Sequence, residues 1–457
     1  MKKKKIIIAL LIISFGYFFI NFLIDRKEVS SIKNIFSTHT KFIIKKYFFP
    51  QKYISQLEEA LIKNRINTPI NNVYFALNKE LEFQKNLETF EGKKVISKKL
   101  NQNRILDIYK LTGGFYSGIN NAIPGSGYFD FKKDNIIIVS SKGTLGYSVI
   151  NKKNYNFQQI ENNIKDFIDF KQFAKHNWFS IKDILVHNDY ILLSYTEEIK
   201  EDCWNTSIIY GKFDYNKIEF SKLFSDSDCI HSTDNTDKEF NAHQSGGKII
   251  SLDEENIIFS NGDYRNRHLA QNLLSFNGKL IKININSKNT EIISIGHRNP
   301  QGLYLNKERN FLLESEHGPK GGDEINLISL EGTSIPNFGW PVASYGEHYK
   351  RYNVDNLDKY EKYPLYKSHK EHGFIEPLKF FTPSIGISEI TGILDNQYVV
   401  SSLKSKSLYF FELSEEYKIN KLEKVDVFER VRDLKFYKNK LFLFLEDTAS
   451  IGVISFN

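Results

Sequence analysis

The chain has 457 residues, 41% hydrophobic and 26% charged, which excludes a wholly disordered chain, a collagen and a multi-span membrane protein. Two cysteines exclude a disulfide-dense scaffold and a cysteine-rich zinc protein. The net charge of +7 is concentrated in residues 1–52, where ten Lys and one Arg face only Asp25 and Glu28; the remaining residues carry −2, so the body is no nucleic-acid binder.

Residues 1–5 form a basic tail with four consecutive lysines, and residues 6–24 are an uncharged, mostly apolar run. Nineteen helical residues at ~1.5 Å each match a bilayer core. No small-x-small cleavage site follows, so the run reads as an uncleaved signal anchor rather than a signal peptide. The lysines stay cytoplasmic by the positive-inside rule. The expectation is a single-pass inner-membrane protein with its body in the periplasm. Residues 25–93 read as a basic linker and helical stalk: Ile54, Leu57, Leu61, Val73, Leu77 and Leu81 recur at helical spacing, with a break at Pro69.

From residue 94 the texture changes. Short apolar or aromatic runs alternate with Gly, Asn, Asp and Lys turns, for example 135–140 (NIIIVS), 190–195 (YILLSY), 255–259 (ENIIF), 407–413 (SLYFFEL) and 440–445 (KLFLFL). Such runs predict strands, and the main helical candidate is 162–173. An all-β body of this length suits radial repetition of four-stranded blades, which leaves only short edges. Cys203 and Cys229 are a candidate disulfide in an exported domain, with two unlinked thiols as the alternative.

The chemistry is concentrated in residues 241–349. NAHQSGG (241–247), NGDYRN (261–266), GHRNPQGL (296–303), SEHGP (315–319), GGDEIN (321–326), NFGWP (337–341) and SYGEHY (344–349) follow strand-like runs, where loops carry function. Singly, each has a plain structural reading: a surface histidine, a turn, a core tryptophan. In this order they resemble the soluble glucose/sorbosone and aldose sugar dehydrogenase family, six-bladed β-propellers that use pyrroloquinoline quinone (PQQ). The resemblance continues more weakly to Ser402-Leu403-Lys404 and to Arg430-Val431-Arg432-Asp433.

The resemblance implies roles. His243 would be the base that takes the proton from the sugar C1 hydroxyl, and Asp263 the carboxylate orienting it. Arg298 and Asn299 would lie by the quinone oxygens. Lys404, Arg430 and Arg432 would hold the carboxylates of PQQ. Carbonyls of Gly318 and Pro319 would bind Ca2+, and Glu324 a second, structural Ca2+. Gln244, Trp340 and Phe381 would contact the sugar, Phe381 standing where the family usually has Trp. The family's early-blade glutamine has no clear counterpart; residues 178–184 are where one would lie. The expected partners are a sugar and a periplasmic or membrane electron acceptor. The oligomeric state stays open, a homodimer included. The alternative reading is a non-catalytic, calcium-binding propeller that holds carbohydrate or a protein partner.

Overall fold

The computed structural model describes residues 69–456 apart from 102–103, 120–123, 151–152, 333, 350–360 and 395. The chain divides into two units, Met1–Asn71 and Asn72–Asn457. The expected anchor at 6–24 and the first part of the stalk lie outside the described residues. Among the described residues no helix is long and apolar enough to cross a membrane.

The body is all-β and propeller-like. Four-stranded antiparallel sheets follow one another along the chain: Gly246–Ser251 to Thr290–Ile295, Pro300–Asn306 to Lys379–Phe381, and Ile387–Gly392 to Ile419–Asp426. Before them lies a sheet on Ile181–His187, Tyr190–Lys200, Cys203–Lys212 and Ser221–Phe224. A nine-stranded sheet joins chain beginning and end. One half is Gly127–Lys132 to Asn154–Gln159; the other is Val431–Tyr437 to Ser450–Ser455, extended by the early strand Ile105–Leu111, and Phe90–Lys99 joins the two. Leu106 pairs with Ile454 and Lys110 with Ser450 there, so the early strand closes the ring. The first strands of successive sheets pack side by side, from Gly127–Lys132 round to Val431–Tyr437 and back.

Burial explains the sequence texture. Second strands are covered on both faces by neighbouring sheets, so they carry central apolar runs: Asn135–Ser140 is buried in five of its six residues. Outer strands meet water, as in Ile419–Asp426, where only Val425 is buried. Several expected strands match closely; the 162–173 helix does not form as one piece. It splits into a 3-10 turn, Ile164–Asp166, and a short helix, Phe170–Lys175, because Asp169 adopts an extended backbone and caps the second by accepting from Lys171 N at 2.9 Å.

Pro69 begins the helix Pro69–Lys85 rather than breaking one, since the first turn needs no N–H there. This helix is not a stalk. Leu77 and Phe83 enter the core, and the buried Glu80 accepts hydrogen bonds from Ser140 Oγ and, at 2.9 Å, from Thr144 Oγ1. The body therefore starts some twenty residues before the texture change at 94.

Where the first strands converge, Lys248 reaches Asp183 at 3.1 Å, Asp433 at 3.5 Å, and Glu389, all four being buried. Each carboxylate also accepts a backbone N–H from a neighbouring first strand: Asp183 from Ile249 (2.9 Å), Glu389 from Leu303 (3.3 Å) and Asp433 from Phe129 (2.9 Å). Cys203 and Cys229 form the disulfide, with their Cα atoms 5.2 Å apart.

Replacing Lys248 by Met leaves three buried carboxylates without that cation and is expected to cost about 3–5 kcal/mol at pH 7, read by urea unfolding. An unchanged midpoint would show that the cluster does not hold the ring. Opening the disulfide with Cys203→Ser/Cys229→Ser releases a loop with a sequence separation of 26. The expected loss is about 3 kcal/mol relative to the oxidised protein, measured the same way.

Candidate functional site

A cavity of about 430 Å³ opens at one end of the ring, on the loops that enter first strands and leave second strands. Among the described residues, His243, Gln244, Arg298, Asn299, Gly318, Pro319, Lys404, Arg430 and Arg432 all line it. Residues separated by nearly two hundred positions thus meet in one place.

His243 sits in the 3-10 turn Ala242–Gln244, whose entry is fixed by Asn241 Oδ1 accepting from His243 N at 2.9 Å. Its Nε2 lies 3.0 Å from the Ile119 carbonyl, and the Trp178 ring meets it edge-on at 5.4 Å. A carbonyl only accepts, so Nε2 carries the proton and Nδ1 is the basic nitrogen. Burial, then the positive charge of Lys182, pushes the imidazole down to about 3. It is neutral across the physiological range.

The cations are held from behind. Glu446, fully buried, accepts from Arg430 Nε at 3.1 Å and from Arg432 Nε at 2.6 Å. Arg298 donates to the His317 carbonyl at 2.7 Å and lies over the Trp340 ring at 5.4 Å. Lys404 makes no ion pair among the described residues. Gly318 is fixed as glycine, because a Cβ there would lie 2.0 Å from the Gly322 carbonyl oxygen.

Three expected placements need correction. Asp263 does not orient His243. Its carboxylate accepts from Trp340 Nε1 (2.8 Å) and Arg265 N (2.8 Å), and from the Gln244 amide at 2.9 Å when that amide faces its neighbours correctly. In the same orientation Gln244 accepts from Arg298 at 2.9 Å, so Asp263 positions Arg298 through Gln244 and Trp340. Burial lifts Asp263 to about 6, against the pull of Arg298. Trp340 is a buried support beneath Arg298, not a sugar contact. Phe381 packs into the core against Tyr409 because its strand alternates; the exposed ring is Phe380, stacked on Tyr345 at 3.8 Å. Glu324 is buried away from the cavity, 3.7 Å from His369 Nε2.

Residues the motifs did not single out also line the cavity. Lys182 is buried, donates to the Trp178 and Ala242 carbonyls at 2.9 and 3.3 Å, and is held well below the usual amine range by burial and by Arg432. It lies in the 178–184 stretch, as a lysine where a glutamine was sought. Its signal is the charged pair Lys182-Asp183 ahead of the apolar run 184–186 in the strand Ile181–His187. Gly247, with φ +112, leaves room for it: a Cβ there would lie 2.3 Å from Lys182 Cβ. His317 is pushed down to about 3 by burial and by Arg298.

The described residues thus form an all-β, propeller-like ring with a cationic, histidine-bearing cavity at one end. The family model for glucose/sorbosone dehydrogenase matches residues 180–454, and the chain belongs to that family. It is 30% identical over 200 residues, 39% of its length, to the aldose sugar dehydrogenase YliI of Escherichia coli K12, of which this covers 50%. It is 33% identical over 147 residues, 24% of its length, to quinoprotein glucose dehydrogenase B of Acinetobacter calcoaceticus, covering 30% of that protein. The chain thus spans half or less of these curated relatives. In solved structures the fold resembles the apo aldose sugar dehydrogenase of Escherichia coli, with TM-score 0.56, 20% identity, and 72% of this chain and 95% of that one covered. The PQQ-bound aldose sugar dehydrogenase of Streptomyces coelicolor gives TM-score 0.54 and 15% identity, with 78% and 99% covered.

The His243 environment has a pH consequence. Below pH 6.5 the unfolded chain protonates this histidine while the folded one does not until about 3, so folding weakens as pH falls through that window. Between pH 7 and pH 5 the apo wild type is expected to lose about 2 kcal/mol relative to His243→Gln, measured by denaturant unfolding at both values. No pH-dependent difference between the two proteins would contradict a neutral, half-buried imidazole.

Proposed function

We propose that this protein is a PQQ-dependent dehydrogenase that oxidises an aldose, or a related alcohol, at C1. The carrying observation is the charge of the cavity. Among its described lining residues, seven basic side chains (Lys182, Arg265, Arg298, Lys320, Lys404, Arg430, Arg432) face one carboxylate, Asp323, beside a neutral histidine. A neutral sugar alone gives no reason to assemble so many cations; a planar tricarboxylate does. The volume is of the ~300–1,000 Å³ class that encloses cofactor-sized ligands. The donor set therefore fits PQQ. Lys404, Arg430 and Arg432 would hold its carboxylates, with Arg298 and Asn299 near its quinone side. The carbonyls of Gly318 and Pro319 offer the oxygen ligands that Ca2+ prefers.

When bound, PQQ supplies the two-electron oxidant and Ca2+ an electrophile beside it. The chain's own residues do the rest. His243 Nδ1 takes the hydroxyl proton of the substrate. Arg298, held by Gln244, Trp340 and the His317 carbonyl, presents positive charge where negative charge develops, without having to reorganise. Protonation of His243 is disfavoured first by burial and then by the charges of Lys182 and Arg432, the charge penalty being the one a ligand can change. Anionic carboxylates next to those cations relieve that penalty, so cofactor binding raises the basicity the reaction needs.

The six first strands that pack in a ring count as six blades in this reading. The N-terminal run 6–24 is proposed as a membrane anchor that places the body in the periplasm, where an electron acceptor is reached. Its support is the uncharged run behind four lysines.

His243→Gln is expected to abolish aldose-dependent dye reduction while PQQ affinity stays within a few-fold. Lys404→Gln is expected to weaken PQQ binding at least tenfold, with thermal stability unchanged, read by titrating apo-protein in the presence of Ca2+. Failure of PQQ to bind the wild type, with or without Ca2+, would leave a non-catalytic carbohydrate- or protein-binding propeller as the better reading.

A further inference from the structure

Outside the cavity, on the face between the sheet of Pro300–Asn306 and its predecessor, a second cluster of ionisable groups has no assigned role. Glu314 and Glu316 lie two residues apart on the strand Phe311–Glu316, so both point to one face. His297 stands in the loop that enters Pro300–Asn306. All three are buried, with 0, 3 and 0% exposure for Glu314, Glu316 and His297. A ring nitrogen of His297 and one oxygen of each carboxylate lie within 4.8 Å of one another.

The hydrogen bonding around the cluster is incomplete in a directed way. His297 Nε2 is engaged by Ser294 Oγ at 2.8 Å, which turns Nδ1 toward the carboxylates. Nδ1 lies 3.5 Å from Glu316 Oε1 and has no hydrogen-bond partner; neither has Glu314 Oε1. Asn326, opposite Glu314 in the next strand, donates to Glu314 at 2.9 Å and to Glu316 at 3.2 Å, while its own oxygen is unpartnered. Glu324, opposite Glu316, adds a third buried carboxylate. Among the described residues no lysine or arginine side chain pairs with any of the three glutamates. Buried carboxylates without a cation are costly, and they are normally protonated, paired or bound to a metal.

We propose that His297, Glu314 and Glu316 form a structural site for a divalent transition ion of the zinc or manganese class. An imidazole nitrogen with two carboxylates is a donor set for such ions, whereas calcium and magnesium favour all-oxygen shells. An ion midway between atoms within 4.8 Å of one another lies no more than about 2.8 Å from each, so side-chain adjustment alone reaches the ~2.0–2.2 Å of zinc ligation. None of the three residues lines the cavity, so this site is separate from the Gly318–Pro319 carbonyls. Its consequence reaches the cavity all the same. The second oxygen of Glu316 accepts from Arg298 N at 2.6 Å and Asn299 N at 3.3 Å. An ion on Glu316 would bolt the strand to the loop that presents those two residues.

The test uses the full chain, purified without chelator from medium containing zinc and manganese, and needs neither PQQ nor sugar. The expected result is one equivalent of zinc or manganese per chain by elemental analysis, retained against excess Ca2+. Stripping should lower the thermal midpoint, and added Zn2+ or Mn2+, not Ca2+, should restore it. Glu314→Gln and His297→Gln should each weaken zinc affinity at least tenfold. Should either variant fail to fold, the wild type decides alone, through an anomalous scattering peak between the three residues. Absence of a stoichiometric transition ion after exposure, its displacement by Ca2+, or wild-type affinity in Glu314→Gln would overturn the proposal. The cluster would then be a proton-sharing carboxylate group or a calcium site.

Discussion

Lys248 and the carboxylates of Asp183, Glu389 and Asp433 meet where the first strands of the sheets converge, and the whole geometry hangs on that meeting. Four sheets supply the four side chains; the backbone amide of Leu303 brings in a fifth, and that of Phe129 the other half of the nine-stranded sheet. Burial alone would strip the ammonium of its proton; Asp183, Glu389 and Asp433 instead hold it well above the ordinary range. Burial, with Asp433 and Asp183 nearby, lifts Glu389 to about 8 against the pull of Lys248, so it keeps a proton near neutrality. The cluster thereby avoids three bare charges. Hydrophobic contacts between sheets tolerate sliding, but a charged hydrogen-bond network does not, and so it fixes how far each sheet is turned.

Fixing the sheets fixes the cavity, because its lining residues sit on the loops at one end of the same strands. Asp433 belongs to the central cluster; Arg432, its neighbour in sequence, points into the cavity. Asp183 and Lys182 repeat this arrangement one sheet after Gly127–Lys132. Adjacent residues of a strand serve opposite purposes, one to lock the ring and the other to charge the cavity.

This division decides what could be read from the sequence. The loop motifs around His243, Arg298 and Gly318 were legible because their glycines, prolines and polar residues are contiguous. Strands such as Asn135–Ser140 and Ser407–Leu413 were legible because burial on both faces leaves long apolar runs. Facing is less legible. Phe380 and Phe381 differ only in which side of a three-residue strand they take, and that depends on pairing with Asp323 and Glu324. The neighbours of Asp263 come from loops distant in sequence, so its service to Arg298 rather than His243 has no local signature. Lys182 showed only as a misplaced charge, and the role of Pro69 depended on a helix that docks onto the body through Leu77 and Phe83.

The electrostatics of the cavity then couple its parts. His243 and His317 are both held neutral by burial and by cations, and those cations cannot relax, since Glu446 grips both arginines and Lys182 is tied to two carbonyls. A cavity built this way is a poor base when empty and a strong anion trap. A polyanion entering it satisfies the cations and in the same event offsets the part of the imidazolium penalty that they impose. In the proposed function, fixed charges would thereby favour substrate deprotonation in the loaded state.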